Sequence, residues 1–146
     1  MSTEDNKATV RRAIEEGWNQ GHVAVFDELN APNFINHDPG APGVHTKGDY
    51  KRWVTESLSA FPNLHITIDD LMAEEDQVTM RWTFRGIHTG DLVSPMPLPA
   101  TGKQVTVPGI TIVRLAGGKA VEVWSQRDAF GFLQQLGVIP APGQAS

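Results

Sequence analysis

The residues best suited to chemistry lie in one stretch near the end of the chain, Val121 to Gly137 (VEVWSQRDAFGFLQQLG). A period-2 pattern there runs straight into a short apolar helix, with Asp128 at the junction. On a strand, Glu122, Trp124, Gln126 and Asp128 share one face, while Val121, Val123 and Ser125 take the other. An indole, an amide and a carboxylate in one row make an unusual core face and suggest a pocket floor with an acid at its rim. Asp128 is therefore the leading candidate for chemistry. The same position also suits the N-cap of a helix over 129–136 that ends at Gly137, and a carboxylate held by backbone N–H groups is a poor base at neutral pH.

The remaining polar and aromatic candidates each carry two readings. His88 continues the phase of Trp82 and Phe84 past Gly86, which makes it a pocket-mouth histidine or the first residue of a solvated loop. His37 stands in Asn36-His37-Asp38-Pro39, where a substrate contact competes with a hydrogen bond to turn backbone. Trp82, Phe84, Trp124 and Gln126 are candidates for lining a cavity, against plain sheet packing for the aromatics. Trp18 belongs to the stripe of a first helix and Trp53 to the edge of a third. Arg81 and Arg85 alternate with Trp82 and face away from it. His22, His45 and His65 have no assigned role.

The elements that must position these groups are legible from period and punctuation. Ser2 and Asp5 have capping-box spacing, and Val10, Ile14 and Trp18 follow at helical intervals until Asn19-Gln20-Gly21. A shorter helix takes Val23, Phe26 and Leu29 up to Pro32, and 33–37 (NFINH) is a brief strand. Thr46 and Asp49 open a third helix with Tyr50, Val54, Leu58 and Phe61 on one stripe. Four long strands come next. Leu64 to Asp69 and Val78 to Arg85 alternate apolar with polar residues, and Ala116-Gly117-Gly118-Lys119 joins the last two strands as a hairpin. This order predicts an α+β domain, helices on one face of a curved antiparallel sheet enclosing a cone. A single domain over 1–138 is expected, with a small-residue tail over 139–146 that frays. The loop from Thr89 to Lys103, stiffened by prolines at 95, 97 and 99, is expected to be a lid or a dimer arm.

Composition excludes several classes of function. A formal charge of −5 with no basic run longer than two residues argues against nucleic acid and against an anionic membrane surface. The absence of cysteine removes disulfides, thiolate metal sites and a cysteine nucleophile. His37, Asp38, His45 and His88 are a loose set without metal-ligand spacing, so no metal is expected. There is no P-loop, no dinucleotide fingerprint and no serine elbow. The start MSTEDNK has neither a basic nor an apolar signal region, so a cytoplasmic protein is expected.

Several segments together resemble the SnoaL-like polyketide cyclase (ester cyclase) family of the NTF2-like superfamily. They are Trp18-Asn19-Gln20-Gly21, Phe34-Ile35-Asn36-His37-Asp38, Phe61-Pro62-Asn63-Leu64, the run from Arg81 to Gly90, Thr101-Gly102-Lys103, and Glu122-Val123-Trp124 followed by Asp128 and Leu133-Gln134-Gln135-Leu136-Gly137. The resemblance implies a cone-shaped fold and an intramolecular aldol ring closure of a polyketide ester, with no cofactor. In that chemistry an aspartate near the end of the last strand is the general acid/base, and Asp128 occupies the matching place. A greasy pocket would raise its proton affinity, and His37, His88, Trp82, Trp124 or Gln126 could donate to the developing enolate. The expected partner is a hydrophobic small molecule, with a homodimer formed through the outer face of the sheet. The alternatives are a hydrolase or isomerase on the same cone and a non-catalytic binding protein.

Overall fold

The computed structural model describes residues 1–140; from residue 141 on, the tail expected to fray lies outside them. Ser2 and Thr46 start helices as their spacing predicts. Each hydroxyl accepts the N–H of an aspartate three residues on, Asp5 or Asp49, whose carboxylate accepts the cap's own N–H in return. Each reciprocal pair satisfies two donors that a helix start otherwise leaves orphaned. Helix α1 spans Thr3–Arg12. It continues over Ala13–Asn19 in π-helical turns rather than as one α-helix. At Gly17 the chain passes so close to Phe26 that a Cβ would lie 2.4 Å from its ring. The missing side chain therefore lets α2 (Val25–Leu29) pack against this segment.

The long third helix, α3, spans Lys47–Ala60. The strands are β1 (Asn30–His37), β2 (His65–Glu74), β3 (Gln77–Ile87), β4 (Gln104–Ala116) and β5 (Lys119–Arg127), ordered β1-β5-β4-β3-β2 in one sheet. β2 to β5 form the antiparallel meander expected from the alternation. β1 is the exception to the antiparallel expectation, pairing parallel to β5. A strand entered from a helix, with no hairpin to its neighbour, is free to run that way. It also begins three residues earlier than Asn33, taking in Pro32 where the register shifts between Asn30 and Ile35. Gly117 and Gly118 make the hairpin with φ of 58° and 80°, the left-handed pair that a two-residue connection needs.

A short helix, α4 (Ala129–Gln135), closes the chain over the end of the sheet. Val54 and Ala60 of α3, Val78 of β3 and Val105 of β4 are completely buried. This close packing fixes the distance between helices and sheet. Toward the axis of the cone the core is not filled, and the gap there becomes a cavity.

Candidate functional site

Strand parity decides which side chains meet the cavity. Along β5, Val123, Ser125 and Arg127 line it, and Glu122, Trp124 and Gln126 do not. The enclosed space is about 150 Å³, below the roughly 300–1,000 Å³ of pockets that hold drug-sized ligands. Trp18, Tyr50 and Trp53 come from the helical side, and Met80, Trp82 and Phe84 from β3. Leu92, Ser94 and Pro95 line it from the 89–103 loop.

At one end of this apolar space Arg127 lines the wall, and it is ion-paired to a buried Asp38 that is not itself among the lining residues. Arg127 Nη2 donates to Asp38 Oδ2, and Asp38 Oδ1 accepts the Gly40 N–H at 2.9 Å. The Asp38 side chain is only 2% exposed. The guanidinium carbon lies 5.0 Å from the Trp53 ring and 5.8 Å from the Trp82 ring, so two indoles share its charge. Gly40 makes this packing possible: a Cβ there would sit 3.1 Å from Arg127 Nε. That Nε is buried without a partner, and Nη1 makes no hydrogen bond among the described residues. Burial alone pushes the guanidinium down to about 10, which leaves it fully charged at neutral pH.

Donors continue along the wall. Trp82 Nε1 donates to Thr111 Oγ1 at 2.9 Å, and Thr111 shares a hydrogen bond of 2.9 Å with Ser125. Tyr50 accepts from Trp18 Nε1 at 3.2 Å, which leaves its own hydroxyl proton available. Burial pushes that phenol up to about 12, so it is a donor and never a phenolate at working pH. The cavity therefore combines an apolar wall, a charged pole and neutral hydroxyl donors.

The family model for the SnoaL-like polyketide cyclase matches residues 8–136. The chain belongs to this family. Among solved structures, a protein of Acidithiobacillus ferrooxidans provisionally called a polyketide cyclase is 31% identical, with a TM-score of 0.80 over 94% of this chain and 99% of its own. A SnoaL-like polyketide cyclase, so named provisionally, from Jannaschia sp. CCS1 is 24% identical, with a TM-score of 0.82 over 94% and 95%. AclR of Streptomyces galilaeus, provisionally a hydroxylase, is 24% identical, with 0.83 over 98% and 87%. The last two likenesses speak for the shared NTF2-like cone alone. No curated protein matches this chain in sequence.

Within this SnoaL-like cone the expected site residues separate. Trp82 and Phe84 line the cavity. Asp128 does not: it is exposed and caps α4, with Oδ1 accepting the Gly131 N–H at 2.8 Å. The buried acid expected at this position is corrected to a solvent-facing cap, because the strand ends at Arg127 and the alternation stops with it. Trp124 and His37 stack on each other away from the cavity, rings 5.7 Å apart and 16° from parallel. His37 Nε2 lies 2.8 Å from Glu122 Oε2, and Arg114 reaches the other oxygen at 3.1 Å. Both partners hold the Glu122 carboxyl below its usual range, His37 the more strongly. Gln126 is exposed. These three residues are thus corrected from cavity to outer surface.

His88 is neither solvated nor in the cavity wall. It is completely buried, and its Nδ1 accepts the Thr101 N–H at 3.2 Å beside the Thr101 hydroxyl at 2.9 Å. The ring proton then sits on Nε2, which has no partner. His88 N–H donates to the Lys103 carbonyl and Gly102 N–H to the His88 carbonyl, so this residue clasps the two ends of the 89–103 loop. Desolvation lowers its proton affinity, with Asp91 opposing.

The groups that pattern reading passed over as cavity residues are Arg127, Tyr50 and Trp53, while Asp38 enters it as a member of the loose histidine and carboxylate set. Arg127 carried a usable signal, since it continues the Val123 and Ser125 phase. A cation in an apolar phase calls for a buried counter-ion, and Asp38 supplies it from the end of β1. Among the described residues, no group of three or more histidines and carboxylates is arranged to hold a metal ion. No helix among them is long and apolar enough to cross a membrane.

Proposed function

We propose that this chain is a cyclase-type enzyme that takes a slender hydrophobic carbonyl compound, such as a linear polyketide ester, and closes a ring by cofactor-free acid/base chemistry at the Asp38–Arg127 pole. The observation that carries this reading is a buried ion pair whose cation, Arg127, lines one end of an otherwise greasy cavity. Desolvating two charges is expensive, and a hydrophobic pair of equal volume is often the more stable choice. A pair retained in a cleft, with a spare donor on its cation, therefore points to a site.

The chemistry follows from what each group can hold. Arg127 Nη1 donates to the substrate carbonyl oxygen and lowers the charge available to Asp38. A carboxylate loosened from its cation in apolar surroundings is a stronger base than one in water. Asp38 takes the proton next to that carbonyl, and the enolate oxygen is held by the guanidinium. The enolate carbon attacks a second carbonyl of the same molecule, the ring C–C bond forms, and the new alkoxide takes the proton back from Asp38. Tyr50 stays protonated throughout and orients an oxygen. Asp128 has no part in the cycle.

A binding protein without turnover is the second reading, favoured by one observation: both oxygens of Asp38 are already occupied, by Gly40 and Arg127. Turnover of an activated polyketide ester by the wild type, Asp38→Asn, Arg127→Met and Asp128→Asn separates the two. Loss with the first two substitutions and retention with the third is the expected pattern. Binding without turnover in the wild type leaves only the container. We also take the outer face of the sheet, where Ile35 and Ile110 are exposed near Trp124, as the surface of a homodimer.

A further inference from the structure

Asn30 stands where β1 begins, against Ala120 of β5, and lines the cavity far from Arg127. At roughly 3.3 Å per residue, β5 covers about 20 Å between those two levels. Val10, Leu29 and Leu115 surround that end, so its wall is apolar apart from this amide and Thr9. Asn30 is 4% exposed, and its Nδ2 has no hydrogen-bond partner.

The other buried amides show that this is not how the fold treats asparagine. Asn36 Nδ2 donates to the Val44 carbonyl at 2.9 Å. Asn19 is bonded at both ends to the backbone of Ile66, at 2.9 and 2.7 Å. Asn6, outside the cavity, lacks a partner only at its oxygen. Nor does local geometry ask for an asparagine at position 30. The end of α2 is capped by its backbone N–H bonded to Phe26, and its φ of −101° is open to any residue. A buried amide that serves neither a cap nor a turn, and whose donor is empty, is one whose partner comes from outside the chain.

We infer that Asn30 is a specificity-determining residue that receives a hydrogen-bond-accepting oxygen at the end of the ligand remote from the reacting carbonyl. The amide turns about its last side-chain bond, which is soft in asparagine, to bring Nδ2 to the ligand. The ligand class is then an elongated acyl compound oxygenated at both ends, a β-keto ester at Arg127 and a ketone or ether oxygen at Asn30. The inference rests on the reading of this cavity as the substrate site, and not on turnover.

The test is binding of β-keto esters of graded chain length, each made with a terminal methyl ketone or with the plain alkyl end, followed by quenching of the cavity tryptophans. At one chain length the wild type is expected to favour the ketone by roughly tenfold, the usual scale when a buried donor is left empty by the poorer ligand. Asn30→Leu is expected to abolish that preference and to bind the alkyl compound at least as well. Asn30→Ser, which removes the long amide with little change in packing, gives the same comparison if the leucine variant does not fold. Equal affinities in the wild type, or an unchanged preference in both variants, overturn the assignment. Because the readout is a ratio of affinities, it survives even where no turnover is found, and a failure of the Asp38–Arg127 chemistry leaves it standing.

Discussion

The indole of Trp82 packs over Gly109, the residue paired with it across the sheet: a Cβ at position 109 would fall 2.2 Å from the ring. The same glycine pairs on its other side with Arg127. Trp82, Gly109 and Arg127 thus form one row across three strands, and the gap in the middle lets the ring reach toward the guanidinium. Pro108-Gly109, which interrupts the alternation of β4, is therefore a device that places the charged pole of the cavity.

Gly109→Ala is expected to displace the indole, break its bond to Thr111 and loosen Arg127. The overpacking should destabilise by about 1–3 kcal/mol. Urea denaturation gives the loss of stability, and near-ultraviolet circular dichroism reports the tryptophan. A variant with unchanged spectrum and midpoint would show that the row tolerates a side chain.

Breaking the ion pair from one side strands a buried charge. Asp38→Asn and Arg127→Met should each lower stability by about 3–5 kcal/mol, and the double variant should recover much of that. Chemical denaturation of all four proteins closes the cycle. Additive losses would mean that the two groups act independently.

At Asp128 the expected loss is that of a helix cap. Asp128→Ala should cost about 1 kcal/mol, and Asp128→Asn almost nothing, since asparagine caps as well. Activity per folded molecule should be unchanged in both. A collapse of turnover in Asp128→Asn at full stability would return the catalytic role to this residue.

Acid should weaken the clasp that His88 makes across the 89–103 loop. Its folded-state proton affinity is depressed by burial, so the unfolded chain binds more protons as pH falls below about 6.5. The stability it contributes is complete above that value and is lost as pH drops through the lower, folded-state value. Denaturation midpoints between pH 8 and 5 should decline in the wild type and decline less in His88→Gln. Parallel curves would exclude the histidine as the cause.

The dimer surface can be tested by charge. Ile110 is 51% exposed on the outer face, and Ile110→Glu should shift a dimer to monomer in light scattering without changing the thermal transition of the monomer. A wild-type monomer at all concentrations would remove that assignment.

Much of the architecture was legible because local rules agreed with the global fold. Two capping boxes, the Gly117-Gly118 hairpin and the long strands are set by spacing, and they recur in the structure, although β2 runs on to Glu74, five residues past Asp69. β1 was less legible, since a short strand's partner and direction depend on contacts distant in sequence. The site was less legible still. Along β5 the alternation shows in the sequence, but which phase faces inward does not: the chemistry of Glu122, Trp124 and Gln126 points to their side, and the cavity is lined by Val123, Ser125 and Arg127 instead.

By itself the sequence determined the elements, their order and the family, because period, caps and turn residues act over a few positions. Only the tertiary structure decided that Arg127 meets Asp38 between two indoles, that Asp128 faces water, and that Asn30 ends the cavity with an empty donor. Each of these depends on which face of a strand is concave and on residues brought together from opposite parts of the chain, and no local pattern carries that information.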